Sequence, residues 1–151
     1  MQTPNFSKIE LDLFIDERIQ SMATKIILVG HGTLGRALVN SVSMIMGPQD
    51  ENELVGVDFT EDDSRDTLQE RVEEAIIKFN LENDHLVICC DMQGGTPFNA
   101  CYLLSKQYPM SIICGMNLPM LLEFIVMKDM YETKEQLIEL VEMTRESLLV
   151  I

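Results

Sequence analysis

The chain has 151 residues, of which 46% are hydrophobic, and this length favours one domain with a single substantial core. Its formal net charge of −14 has the same sign as nucleic acids and anionic membranes, so both are excluded as expected partners, and a basic protein surface is favoured. The sequence contains neither a signal peptide nor a run of about 18 apolar residues, and we therefore expect a cytoplasmic protein.

Residues 1–21 do not share the pattern of the rest of the chain. Ile9, Leu11, Leu13 and Ile15 alternate as in a strand, but Leu11, Ile15 and Ile19 would also share one helical face. Periodicity does not decide between these alternatives. We interpret 1–21 as an N-terminal extension of uncertain role and 22–151 as the domain.

The first clear element is the stretch Lys25 to Gly35, KIILVGHGTLG, in which an apolar run leads into glycines. The run Ile26 to Val29 predicts a strand buried on both faces, and the glycines let the backbone approach a ligand. Apolar residues from Leu34 to Ile45 recur at helical spacing, and Gly47 ends that helix. His31 is therefore expected where a parallel strand leads into a helix, a place at which ligands bind in open α/β sheets.

Three more strands alternate with helices along the chain. The apolar runs predict strands at 52–60, 86–90 and 111–114. Helices are expected after Ser64, from an N-cap at Thr96, and near Asn117, and a capping box of Thr133 and Gln136 begins the last one. This alternation predicts an α/β fold, an open doubly wound sheet that is mainly parallel and has helices on both faces.

The four cysteines lie inside apolar stretches, at spacings that fit neither a disulfide framework nor a metal site. They are Cys89, Cys90, Cys101 and Cys114. We expect buried free thiols in a reducing compartment, and we predict no metal ion and no cofactor.

Parallel strands end at the same edge of a sheet, so the residues that follow the first, third and fourth strands should converge. These residues are His31, Asp91 and Met116. An aspartate that accepts the proton of one imidazole nitrogen leaves the other nitrogen as a nucleophile or base. The second histidine, His85, precedes the third strand, and we expect it on the surface at the opposite edge.

Two helix N-termini are expected beside His31 and Asp91, and each offers backbone N–H groups and partial positive charge to a phosphoryl group. The residues predicted on the phosphate side are Gly32, Thr33, Gly94, Gly95 and Thr96. Methionines nearby are expected to pack in the core and at the rim of the site. A nucleophilic histidine, an orienting aspartate and these helix starts together suggest phosphoryl transfer through a phosphohistidine.

An alternative comes from the same glycines. Gly30-x-Gly32-x-x-Gly35, between a strand and a helix, matches the dinucleotide fingerprint, and Asp58 lies in the region of a ribose-binding acid. The chain lacks a second half-domain for nicotinamide and substrate, and Asp58 falls within the strand pattern. Phosphoryl transfer is therefore the favoured hypothesis.

The motifs VGHGTLG, DMQGGTPFNA and GMNLPMLLE resemble those of the IIA component of the mannose family of the bacterial sugar phosphotransferase system (PTS), from about residue 22 onward. The resemblance implies that His31 accepts a phosphoryl group from the phosphocarrier HPr and passes it to a IIB component. Membrane IIC and IID components would then be indirect partners. It also implies a bond between Asp91 and the histidine, and a phosphoryl site beside the turn formed by residues 94–96.

The same resemblance implies a homodimer in which a C-terminal strand is exchanged, and the tail Leu148 to Ile151 is the segment available for this. We expect a free-standing IIA protein, since no linker to a IIB domain follows. Related domains occur in transcriptional regulators and in the phosphoryl donor of dihydroxyacetone kinase. A regulatory module whose phosphorylation is a signal is therefore the main functional alternative.

Overall fold

The computed structural model describes residues 23–151, which form four strands and five α-helices. The strands are β1 (Thr24–His31), β2 (Leu54–Phe59), β3 (His85–Cys90) and β4 (Ser111–Cys114). The helices are α1 (Leu34–Met46), α2 (Arg65–Phe79), α3 (Thr96–Leu104), α4 (Leu118–Val126) and α5 (Lys134–Thr144). The predicted α/β class is confirmed, whereas the interpretation of 1–21 concerns residues outside those described.

All the strand pairs are parallel, and the order of the strands in the sheet is β2-β1-β3-β4. After β1 the chain adds β2 on one side, and it then returns to place β3 on the other side of β1. The strand order therefore reverses between β1 and β3, and a crevice for ligands forms at the carboxyl ends of strands at such a point.

The strands bury apolar side chains on both faces of the sheet, as their uniformly apolar sequences predict. In β1, Ile26 and Leu28 pack with α1, α4 and α5, whereas Ile27 and Val29 pack with α2 and α3. All four side chains are fully buried, and each such burial contributes roughly 1.5–3 kcal/mol. Because side chains alternate along a strand, His31 lies on the same face as Ile27 and Val29.

Two glycines allow α1 to pack closely against the sheet. A Cβ atom on Gly35 would lie 2.6 Å from the Leu28 carbonyl oxygen, and one on Gly56 would lie 2.5 Å from the Gly35 carbonyl carbon. The interpretation of Gly35 as clearance for a ligand is therefore wrong, since its missing side chain is needed for contact between α1 and the strands.

The predicted helix starts are correct except at α3. Ser64 and Thr133 form capping boxes with Thr67 and Gln136, and the Asn117 side chain accepts a hydrogen bond from the Met120 N–H. At α3 the N-cap is Gly95, with φ −76° and ψ 167°, and its carbonyl accepts from Asn99 N–H at 3.0 Å. Thr96 is therefore the first helical residue and caps nothing with its side chain, contrary to the prediction.

His85 is the first residue of β3, at the end of the sheet opposite His31. It is half-buried and its Nε2 atom is enclosed, so the expectation of a surface residue is wrong. β3 begins one residue earlier than predicted, so His85 is a strand residue and not part of the preceding loop. No helix within residues 23–151 is both long enough and apolar enough to span a bilayer.

The four cysteines are free thiols, as predicted. Cys89, Cys90 and Cys101 are buried, whereas Cys114 in β4 is only partly so. Burial raises the pKa of the Cys89 thiol, and the same effect raises the pKa of Cys114. The Cys89 and Cys114 thiols are therefore protonated at neutral pH.

Candidate functional site

His31 and Asp91 meet at the carboxyl ends of the neighbouring strands β1 and β3. Asp91 Oδ2 accepts a hydrogen bond from the His31 backbone N–H at 2.8 Å and lies 2.7 Å from the ring Nδ1. The other carboxylate oxygen, Oδ1, accepts from the Met92 N–H at 2.8 Å. Three contacts therefore fix the carboxylate, and the predicted pair is brought together.

The charge on Asp91 determines which nitrogen of His31 carries the proton. Burial would raise the pKa of Asp91, but hydrogen bonds from the His31 backbone and ring and from the Met92 N–H outweigh it and lower that pKa. An ionised carboxylate can only accept hydrogen bonds, so Nδ1 carries the proton and donates it. The lone pair of His31 is then on Nε2.

The histidine is accessible, whereas its aspartate is shielded. The exposed fraction is 46% for the His31 side chain and 13% for that of Asp91. A cleft of about 420 Å³ does occur along the β2 edge, but its lining, which includes Arg36, Asp58 and Arg71, contains none of the predicted site residues. The open position of His31 suits a reaction with a group presented by another protein.

The first turn of α3 lies beside the free nitrogen of His31. A Cβ atom on Gly95 would be 3.0 Å from His31 Cε1 and 3.7 Å from Nε2. The N-cap Gly95 has no side chain to accept the helix donors, and Pro97 has no N–H of its own. The N–H groups of Thr96 and Phe98 are in the first turn, where helices lack internal acceptors. These two N–H groups therefore have no acceptor within the helix.

The loop between β1 and α1 offers fewer donors than the sequence suggests. The Gly32 N–H donates to the Phe59 carbonyl at 2.7 Å, and the Arg36 N–H donates to Asp58 Oδ1 at 3.2 Å. Thr33 is the exposed N-cap of α1, and its side chain makes no capping bond. Its hydroxyl is therefore the clearest donor in this loop.

Gly94, Met116 and Asp58 are the other residues that the sequence associates with the site. Gly94 is exposed with φ +79°, a conformation that favours glycine. Met116 is buried, and its Cε atom would lie 3.2 Å from a Cβ atom on Gly30, so it packs beneath the site. Asp58 is buried and accepts from the Arg36 side chain, which leaves it no role towards a ribose.

Sequence reasoning missed Phe59, whose ring lies 5.7 Å from the His31 ring, centroid to centroid. The available signal was its position as the last residue of the strand beside β1.

In residues 23–151, no three His, Cys, Asp or Glu side chains are grouped so that they could hold a metal ion.

The comparisons with known proteins show which family this chain is similar to. Residues 25–142 match the family model EIIA-man, described as PTS system fructose IIA component. The PTS system fructose-specific EIIA component of Bacillus subtilis (strain 168) is 34% identical over 123 residues, which cover 81% of this chain and 82% of the relative. The PTS system mannose-specific EIIAB component of Escherichia coli (strain K12) is 31% identical over 129 residues. That match covers 83% of this chain but 38% of the longer relative.

Solved structures share the fold. The phosphotransferase system component EIIA from Streptococcus agalactiae has a TM-score of 0.73 and 27% identity, and the match covers 84% of this chain and 96% of that one. The mannose/sorbose-specific IIA subunit from Enterococcus faecalis is 24% identical and has a TM-score of 0.72. The match covers 86% of this chain and 96% of that one. These similarities extend over nearly all the described residues.

Proposed function

Because this chain belongs to the family of PTS system fructose IIA components, we propose that His31 is the residue that carries the phosphoryl group in this phosphotransferase component. A IIA component receives this group from HPr and gives it to a IIB component during sugar uptake. The observation that carries the proposal is the contact of 2.7 Å between His31 Nδ1 and Asp91 Oδ2, with Nε2 left free.

The transfer uses the lone pair on His31 Nε2. This nitrogen attacks the phosphorus atom presented by HPr, and an Nε2–P bond forms. The bond between the phosphoryl group and HPr breaks, and its electron pair leaves with HPr. Nδ1 keeps its proton, so the imidazole becomes cationic, and the Asp91 carboxylate stabilises that charge. Transfer to the IIB component proceeds by the same steps, with His31 as the leaving group.

The first turn of α3 supports the phosphoryl group on Nε2. Its N-terminus carries roughly half a unit of positive charge, and the Thr96 and Phe98 N–H groups have no partner within the helix. We propose that Gly94 and Gly95 allow the backbone to come close to the phosphoryl group, and that the Thr33 hydroxyl donates a hydrogen bond to the group from the other side. The negative charge of the group would thus be shared by dipoles that are already in place.

The full chain tests this proposal when it is incubated with phosphoenolpyruvate, enzyme I and HPr and its intact mass is measured under alkaline conditions. We expect an acid-labile gain of one phosphoryl group. His31→Ala should abolish the gain, whereas His85→Ala, at the opposite end of the sheet, should retain it. No gain in the wild-type chain with active HPr, or an unchanged gain in His31→Ala, would contradict the proposal.

Asp91→Asn tests the orienting role separately. The amide can donate to Nδ1 and so favour the wrong tautomer, and we expect transfer to slow by on the order of 10- to 100-fold in a folded protein. Unchanged kinetics would remove Asp91 from the mechanism.

Addition of a IIB component then distinguishes transport from regulation, because a relay passes its phosphoryl group on, whereas a signalling module retains it.

We also propose that the protein is a homodimer in which the tail Leu148 to Ile151 pairs with β4 of the partner. β4 is at the edge of the sheet formed by the described residues. The groove beside it, about 550 Å³, is lined by apolar side chains that include Phe98, Tyr102 and Ile138, together with charged ones at its α5 side, Lys134, Glu142 and Arg145. Within one chain the tail is exposed and forms no strand. A tail from a second copy would cover this groove.

The mass of the full chain in solution, measured by sedimentation, tests the dimer. We expect two copies for the wild type and one copy after removal of residues 148–151. Paired substitutions Leu148→Asp and Val150→Asp provide a full-length check, because charged side chains cannot be buried cheaply in an apolar groove. A monomeric wild-type chain would contradict the proposal.

A further inference from the structure

Phe59 lies directly across from His31 in the sheet. It is the last residue of β2, and the parallel register pairs it with His31, the last residue of β1. The Gly32 N–H donates to the Phe59 carbonyl at 2.7 Å, which extends the pairing one residue beyond the strand. Because paired residues of parallel strands project on the same face, both side chains point to the α2–α3 side.

The two rings are in contact, with centroids 5.7 Å apart and an interplanar angle of 75°. This T-shaped arrangement is a favoured geometry for aromatic pairs. The neighbours of the imidazole include Asp91 at Nδ1, Gly95 beside Cε1, and Phe59. Phe59 supplies apolar contact to the ring.

The hydrogen bond to Asp91 does not by itself fix the imidazole. The torsion that turns a histidine ring has broad minima, and a half-turn exchanges Nδ1 with a carbon atom. Such a turn would remove the bond to Asp91 and withdraw Nε2 from the first turn of α3. A ring packed against the imidazole opposes this turn, because the rotating atoms would have to displace it.

We propose that Phe59 is a positioning residue, which holds the His31 ring with Nδ1 towards Asp91 and Nε2 towards the first turn of α3. The inference rests on the proposed function for its kinetic consequence, since Phe59 touches no reacting atom. Its own position is secured by packing, because it lies against the buried cluster that contains Val57 and Phe79. The cluster therefore supports the orientation of the nucleophile.

The test compares Phe59→Leu and Phe59→Tyr with the wild-type chain. Leucine keeps apolar volume but loses the aromatic contact, so we expect phosphoryl transfer from HPr to slow by about three- to tenfold. The ¹⁵N NMR spectrum of His31 should change from the Nδ1–H tautomer to a mixture of tautomers. Phe59→Tyr should restore both the rate and the spectrum, because its ring can make the same contact.

Phe79→Leu is the matched control, since this buried phenylalanine belongs to the same cluster and lies at the end of α2. It should lower the free energy of unfolding without changing the tautomer of His31. A wild-type rate and tautomer in Phe59→Leu would overturn the inference, and so would equal tautomer changes in both leucine variants. The NMR measurement needs no partner protein, so it tests Phe59 even if the wild-type chain accepts no phosphoryl group.

Discussion

The helices of this protein begin in two different ways. At α2, α4 and α5 a side chain accepts a hydrogen bond from the first turn, from Ser64, Asn117 and Thr133 respectively. At α1 and α3 the N-cap residues, Thr33 and Gly95, make no such bond, although Asp58 accepts from the Arg36 N–H in the first turn of α1. The two helices whose N-cap residue makes no side-chain bond are the two that begin beside His31.

This difference has a measurable cost. An N-cap side chain is worth about 1 kcal/mol, so α3 forgoes stabilisation that α2, α4 and α5 have, and α1 has only the bond from the Arg36 N–H to Asp58 in its place. In exchange, their first turns keep backbone donors that an incoming anion can use. The contrast therefore marks the side of the molecule where negative charge is expected to arrive, and substitutions at Gly95 and at Thr33 test this interpretation.

The largest effect is expected for Gly95→Ala. With φ −76°, alanine fits the backbone, but its Cβ atom would lie 3.0 Å from His31 Cε1 and 3.3 Å from Met92 Cγ. The imidazole must shift, so we expect phosphoryl transfer to slow by about 10- to 100-fold, in line with misplacement of a reacting group. The melting temperature should remain within a few degrees of the wild-type value, by an order-of-magnitude argument.

Gly47→Ala is the control for this substitution. Gly47 follows α1 with φ +90°, and a Cβ atom added there would have no other atom within 4 Å. Backbone strain is therefore the only expected effect. It should lower the free energy of unfolding by about 1–2 kcal/mol and leave transfer unchanged. Equal transfer rates in the two variants would show that the space beside His31 has no role in the chemistry.

A smaller effect is expected when α1 receives a cap. Thr33→Asp can accept the first-turn donors and also complements the helix dipole, so the free energy of unfolding should rise by about 0.5–1 kcal/mol. The same carboxylate would repel an incoming phosphoryl group, and we expect transfer to slow by roughly fivefold. Unfolding in urea and single-turnover transfer measure the two effects.

Two companion variants separate charge from capping. Thr33→Asn offers a cap without charge, and it should raise stability with less loss of transfer than the aspartate. Ser64→Ala removes an existing cap from α2 and should cost about 1 kcal/mol of stability with no change in transfer. If Thr33→Asp raised stability and left transfer unchanged, the missing cap at α1 could not be attributed to phosphoryl binding.

The strand ends were predictable because the strands are apolar runs in the sequence and because their alternation with helices indicates a parallel sheet. Once β1 and β3 are recognised, His31 and Asp91 must come to one edge of the sheet, and the structure gives the contact of 2.7 Å. The start of α3 was misplaced by one residue, because Thr96 followed by Pro97 matches the usual cap pattern. Gly95 takes the N-cap position instead, next to the histidine ring.

Contacts that depend on register could not be read from the sequence. Phe59 meets His31 only because β2 pairs with β1 at one specific register, and periodicity does not fix register between strands. The role of Gly35 was misread for a similar reason, since its contacts are with the backbones of Leu28 and Val57. In both cases the contacts of the residue depend on how strands and helices pack in three dimensions, which the local sequence pattern does not determine.

The two histidines extend the comparison to the two ends of the sheet, and the last prediction concerns His85. Burial lowers the pKa of its ring below the ordinary histidine value of about 6.5, although Glu132 acts in the opposite direction. The unfolded chain therefore binds a proton at a higher pH than the folded chain does. It follows that the free energy of unfolding should fall as the pH is lowered through about 6.5, until the folded ring is itself protonated.

An NMR titration of the His85 ring measures this directly, and urea unfolding between pH 7.5 and pH 5 measures its consequence. The fall in stability should be smaller in His85→Gln, because that side chain cannot take up the proton. Phosphoryl transfer at neutral pH should be unchanged, since His85 is at the opposite end of β3 from Asp91. A folded pKa at or above 6.5 would contradict the prediction and would mean that the acid at Glu132 outweighs burial.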